Sequence, residues 1–151
     1  MAAWHRRRVA KRNDSRYLPG QRGWIKVKRQ RTADCVVMGV AGDMCRPMLV
    51  LGLRHADGQL RHFGLARFAA HMPSDVLSDL FAHAGPEQNP IPSRWQHLAV
   101  PAWRRVPPTV VCEVAFTVLD AKRYLRFPAR FICWRPDRSP DDCLLEQLAE
   151  A

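Results

Sequence analysis

Lys26 and Lys28 stand two apart in Trp24-Ile25-Lys26-Val27-Lys28. In an extended strand successive side chains point to opposite faces, so Trp24, Lys26 and Lys28 share one face and Ile25 and Val27 the other. Two ammonium groups side by side either hold an anion or form an ordinary solvated face. A second charged set, Arg135, Asp137 and Arg138, lies in a turn-rich stretch before a capped helix start. The other chemistry-bearing residues show less organisation. The five cysteines, Cys35, Cys45, Cys112, Cys133 and Cys143, include no C-x-x-C pair. Four of them lie in apolar runs or at a helix start. They read as small buried hydrophobes. The six histidines are scattered and form no H-E-x-x-H. Without short-spaced Cys/His pairs, no zinc site is expected.

Charge is the most informative number. The net charge is +10. Residues 1–31 hold eleven Lys/Arg against one acid, Asp14, and the remainder is balanced at thirteen of each sign. A basic block of this kind suits a polyanion, nucleic acid first, with a solvated tail as the plain alternative. With 151 residues, one domain plus a tail is expected. Such a chain buries a core without staples. No stretch approaches the roughly 18 apolar residues of a membrane span. The basic N-terminus has no apolar segment behind it, so it is not a secretory signal. A cytoplasmic protein with no membrane partner is the expectation.

The elements that would position these groups are mostly strands. Residues 1–23 read as irregular. Ala33 to Val40, Met48 to His55 and Leu60 to Phe68 read as strands, the last two joined at Asp57-Gly58, where both residues tolerate positive φ. A helix follows, with Ser74 as its cap, Asp75 in its first turn and Gly85-Pro86 as its stop. Residues 86–108 hold six prolines and read as a connection without regular structure. Val110 to Val118 and about Leu125 to Trp134 complete five strands. A last helix would open at Ser139-Pro140-Asp141-Asp142, with Leu144, Leu145 and Leu148 on one apolar face. The predicted fold is mostly β: a five-stranded OB-fold barrel with a helix between strands 3 and 4, a C-terminal helix and a basic N-terminal extension. An SH3-like or other small barrel would give a similar order.

Three segments resemble ATP-dependent DNA ligases of bacteria, nearest to those of the break-repair type. Ser15-Arg16-Tyr17-Leu18-Pro19-Gly20-Gln21-Arg22-Gly23-Trp24-Ile25-Lys26-Val27-Lys28 is similar to S-x-Y-x-P-G-x-R…W-x-K-x-K, which ends in nucleotidyltransferase motif V. Thr32-Ala33-Asp34-Cys35-Val36-Val37-Met38-Gly39 is similar to the first strand of the ligase OB domain. Leu125-Arg126-Phe127-Pro128 through Arg135-Pro136-Asp137-Arg138 is similar to the last strand and motif VI, usually R-x-D-K, with Arg138 at the lysine position. The resemblance covers about residues 9–148. It divides the chain into residues 1–31, the end of a nucleotidyltransferase domain, and residues 32–151, the OB domain. It implies that Lys26, Lys28, Arg135, Asp137 and Arg138 contact nucleotide phosphates. Phosphoryl-type transition states need positive charge around the phosphate oxygens. Arg16, Arg22, Arg29, Arg31 and Arg126 are then candidates for DNA-backbone contacts.

The family's K-x-D-G, whose lysine takes the AMP, has no counterpart among Lys11, Lys26, Lys28 and Lys122. Ala56-Asp57-Gly58 is preceded by His55. Of motif IV, E-G-V-V-A-K, only Val9-Ala10-Lys11 remains, with Arg6, Arg7 and Arg8 at its first positions. The expectation is an OB domain that binds duplex or nicked DNA without adenylation of its own. ATP and Mg²⁺ would enter only if a separate nucleotidyltransferase domain completed it. Half of a split ligase acting in DNA repair and recombination, an OB-type RNA-binding module and a truncated gene product are the alternatives. Because motif V normally pairs inside a catalytic-domain sheet, the edges of the Trp24–Lys28 strand are expected to be unpaired.

Overall fold

Alternating and β-branched apolar residues make strands, and strands hold most of the core in the computed structural model, which describes residues 8–11, 24–27, 30–69, 74–91 and 100–150. The chain divides into two units, Met1–Gln30 and Arg31–Ala151.

In the first unit, β1 (Arg8–Lys11) pairs antiparallel with β2 (Trp24–Val27), and Val9 lies opposite Lys26. This corrects two expectations. Residues 8–11 are a strand, not irregular chain, and the strand expected over Trp24–Lys28 has a partner on one edge. The run of arginines hid a four-residue strand that carries only two apolar side chains, Val9 and Ala10.

The second unit is mostly β. Its strands are β3 (Arg31–Ala41), β4 (Met48–Arg54), β5 (Leu60–Arg67), β6 (Glu87–Gln88), β7 (Trp103–Arg105), β8 (Val111–Phe116) and β9 (Ala129–Trp134). β3 pairs with β4, β4 with β5, β8 with β9 and β8 with β3, all antiparallel. β5 and β9 run parallel through Ala66↔Ala129 and Arg67↔Arg130. The five strands therefore form a hydrogen-bonded circuit that returns to its start. Cys35, Val36, Val37, Leu49, Leu51, Leu53 and Val114 are fully buried within it. Each such side chain contributes about 1.5–3 kcal/mol, before chain entropy is charged against it.

The proline-rich connection is more ordered than expected. Trp103–Arg105 pairs with Gly39–Ala41 of β3, and Glu87–Gln88 pairs with Trp103–Arg104 in turn. Three- and two-residue strands are too short for side-chain alternation to reveal. Trp103 packs on Gly39 and donates its indole N–H to the Asn89 carbonyl at 3.1 Å.

Helix α1 (Asp75–Ala82) begins as expected, with the Ser74 hydroxyl accepting from Leu77 N–H at 3.4 Å and Leu77 and Leu80 buried. The hairpin turn also stands where it was read, but only Gly58 takes positive φ, at +76°. The last strand starts later than expected, at Ala129. Pro128 has no N–H for the ladder, and Leu125 forms an isolated bridge with Leu119. The terminal helix is not continuous. A 3-10 turn (Pro140–Asp142) is followed by a segment paired to the end of β4, with Arg54 N–H donating to Cys143 O at 2.8 Å. Only then comes α2 (Gln147–Glu150). Leu148 is buried while Leu144 is exposed, so the expected leucine face does not form. Burying Cys143 beside Arg54 wins over continuing the helix. No helix among the described residues is long and apolar enough to cross a membrane.

A Cβ added at Gly39 would overlap the Trp103 ring. Gly39→Ala is expected to cost about 1–3 kcal/mol in urea unfolding, the usual range for overpacking. Gly58→Ala meets no neighbour within 4 Å, and only the left-handed backbone opposes it, so it should cost about 1 kcal/mol.

Candidate functional site

A charged residue in a buried strand needs a partner. Asp34 interrupts the apolar run of β3, and Glu113 interrupts that of β8. The register sets the two directly opposite one another. Two carboxylates so placed repel unless a cation joins them. The cation is Arg135, the first residue beyond β9. Its Nη1 donates to Asp34 Oδ1 and to Glu113 Oε2, both at 3.3 Å. The other side of the guanidinium makes a two-point pair with Asp137, Nε to Oδ1 at 2.9 Å and Nη2 to Oδ2 at 2.8 Å. Arg138 adds a contact from Nε to Asp34 Oδ2 at 3.3 Å. Two guanidinium groups thus face three carboxylates.

The backbone fixes this arrangement. Arg135 N–H donates to Val111 O at 2.8 Å, and Arg138 N–H donates to Arg135 O at 3.1 Å, closing the turn that aims both side chains back at β3. Gln147 completes Asp34: its Oε1 accepts from Asp34 N–H at 2.9 Å, and its Nε2 donates to Asp34 O at 3.0 Å. The amide pairs with Asp34 as a neighbouring strand would. Trp134 Nε1 donates to the Ser74 hydroxyl at 3.1 Å, which ties the end of β9 to the helix cap. Phe131 packs on both Phe68 and Trp134 with ring centroids 4.7 Å apart, so the strand leading into Arg135 has a packed base.

The electrostatics follow. Arg135, through its two-point pair, holds Asp137 at a pKa of about 2. The Asp137 hydrogen bond in turn raises Arg135 further above its already high value, against the opposing effect of desolvation. Burial, then Glu113, raises the Cys133 thiol. Chemically, the cluster is a fixed guanidinium pair whose charge is already more than matched by carboxylates. A phosphate arriving here would compete with Asp137, the most exposed of the three at 61% of its side-chain area.

The described residues bring together Arg135, Asp137 and Arg138 from the sequence-predicted set. Arg31 opens β3 opposite Phe116, and Arg126 follows the Leu119–Leu125 bridge. Lys26 is described in its backbone alone, and Arg16, Arg22, Lys28 and Arg29 lie outside the described residues. Sequence reasoning missed Asp34, Glu113 and Gln147 as parts of the site. The first two carried a signal: each is an acid inside a run that otherwise reads as core.

No family profile matches the chain. Curated relatives do. DNA ligase C1 of Mycolicibacterium smegmatis is 38% identical, over 93% of this chain and 43% of that protein. DNA ligase C of Mycobacterium tuberculosis is 32% identical, over 93% of this chain and 45% of that protein. The chain is a homologue of the C-terminal region of these ligases. It spans less than half the length of the curated relatives it matches. Among solved structures, the ligase domain from M. tuberculosis LigD superposes with a TM-score of 0.52 and 27% identity, over 90% of this chain and 45% of that one. Mycobacterial DNA ligase D complexed with ATP and MES gives 0.57 and 25% over the same shares.

A carboxylate whose pKa is lowered in the fold stabilises it above the unfolded value of about 3.9 and loses that contribution as the pH falls further. The Asp137 contribution should therefore be complete at neutral pH and lost between about pH 4 and pH 2. In Arg135→Ala the Asp137 midpoint should rise toward the ordinary value, as read by carboxyl ¹³C NMR titration. An unchanged midpoint would show that Arg135 is not its partner in solution.

Proposed function

We propose that residues 32–151 form an OB-type barrel of the ATP-dependent DNA ligase lineage, and that the chain binds duplex or nicked DNA through the phosphate backbone. The observation that carries this reading is the likeness to DNA ligases over 93% of the chain. The closed five-strand circuit, with one parallel pairing and a helix between its third and fourth strands, agrees with it. So does the concentration of excess positive charge in residues 1–31. Arg16, Arg22, Arg29, Arg31 and Arg126 are the proposed backbone contacts. Contacts of this kind position a protein without reading sequence.

Adenylation by these 151 residues alone is not part of the proposal, because they hold no K-x-D-G lysine. Nor does the charged cluster fit a resident Mg²⁺. Asp34, Glu113 and Asp137 are all turned onto guanidinium groups and make no metal seat. Retention of Arg135, Asp137 and Arg138 as one ordered cluster favours a second reading. In it, a nucleotidyltransferase domain supplies the lysine, and Lys26, Lys28 and the cluster meet the nucleotide phosphates in that joint enzyme, which would serve DNA repair.

Each neutralised phosphate adds about 0.9 to the slope of log affinity against log salt. About six contacts predict a fall on the order of 10³ in duplex affinity between 50 and 200 mM salt. Fluorescence anisotropy should show nicked and intact duplex falling together, and Arg16→Gln, Arg22→Gln and Arg29→Gln combined should flatten the slope. A salt-insensitive preference for the nick would overturn backbone binding. Incubation with labelled ATP and Mg²⁺ should leave the protein unlabelled; a labelled lysine would overturn the reading that adenylation needs another domain.

A further inference from the structure

The closure between β5 and β9 is made by two residue pairs. One is Ala66 with Ala129, both buried in the core. The other is Arg67 with Arg130. Residues paired on neighbouring strands point to the same face, and the strands lie about 4.8 Å apart. Two side chains of equal length, both exposed, therefore carry their guanidinium groups out side by side.

Like charges so placed repel and weaken the pairing beneath them. The sheet holds nothing nearby to offset this. The row through the two arginines runs Met48, Arg67, Arg130, Ala115, Thr32 across five strands and contains no acid. Neither arginine makes an ion pair with any described residue. Two residues further along β3 and β8, on the same outer face, the situation is reversed. There Arg135 and Arg138 meet Asp34, Glu113 and Asp137. An anion reaching that cluster must displace a carboxylate. An anion reaching Arg67 and Arg130 relieves a repulsion.

We propose that Arg67 and Arg130 together hold one backbone phosphate of a nucleic-acid strand. Two guanidinium forks suit the paired free oxygens of a phosphodiester. Ala115 and Thr32 continue the row on the β8 side, and both are small, so a strand meets no bulky neighbour there. The net charge of +10 favours a polyanion as the occupant. The proposal rests on the DNA-binding reading above and adds to it a fixed contact on the second unit.

The test is the affinity of the full chain for intact duplex, read by fluorescence anisotropy over a salt series. One phosphate contact contributes about 0.9 to the slope of log affinity against log salt. Arg67→Gln with Arg130→Gln should lower the slope by that amount and not by twice it. Affinity should fall about tenfold, the loss of one charge-assisted contact. Because both arginines grip the same phosphate, the double variant should lose less than the product of the two single losses. Arg67→Lys with Arg130→Lys keeps the charge without the fork, so it should keep the slope while losing part of the affinity. Arg61→Gln with Arg105→Gln removes the same charge from exposed arginines off this row and should change affinity less than twofold. Equal effects of the two double Gln variants would reduce the pair to bulk charge and overturn the proposal. A slope unmoved by Arg67→Gln with Arg130→Gln would overturn it too, while leaving the DNA-binding reading in place. A parent chain that does not bind duplex overturns both. The urea midpoint of the same double variant should match or exceed the parent's, since the repulsion is gone; a clearly lower midpoint would assign the arginines to the fold and overturn the proposal.

Discussion

β3 is shared by more of the sheet than any other strand. β8 pairs with its first half, β4 with its second, and β7 with its last three residues. A register shift lies between Val37 and Gly39, where the strand passes from one set of neighbours to the next. A slip of one residue would turn Cys35 and Val37 outward and Asp34 inward, since side chains alternate with period two. The register of this one strand therefore decides both the core and the placement of the charged site. Gln147 reinforces it by pairing with both backbone groups of Asp34.

Asp34 makes that register visible. It is the acid that the apolar strand carries on its outer side, and Glu113 joins it from β8. Arg135 meets both. The arginine thus does structural work whatever its role toward nucleotides, and the two roles compete for the same five N–H groups. Exposed ion pairs contribute little to stability. A guanidinium shared by three carboxylates is better seen as fixing where the chain turns after β9.

The long strands, the hairpin at Gly58 and the start of α1 were legible because side-chain period, positive φ and capping are local signals. The pairing of Trp103–Arg105 was not, because its hydrogen bonds run to residues more than sixty positions earlier. The break before α2 was hidden for the same reason: the helix signals at Ser139-Pro140 are real, yet Cys143 and Leu145 bond to Arg54 instead. β1 was obscured by the arginines that run into it and by its having only two apolar residues, Val9 and Ala10. In the candidate site, the motif residues Arg135, Asp137 and Arg138 were readable from the sequence. Their carboxylate partners required the register, which one sequence does not supply.

The seam between β5 and β9 consists of two residue pairs, against six between β3 and β8. It joins residues some sixty positions apart, Ala66 with Ala129, so its closure, like that of the β3–β8 pairing, demands a larger loss of chain freedom than a hairpin does. The β3–β4–β5 meander, by contrast, is built from neighbouring hairpins. Folding should then proceed from the meander toward the seam, with β9 among the last strands to dock. Arg135 follows directly on β9, so the guanidinium cluster is assembled at the end of that sequence. A chain caught short of closure would carry the basic residues of the N-terminal unit but not the ordered arginine site. Completion of the sheet acts as a gate on any chemistry in which Arg135 takes part.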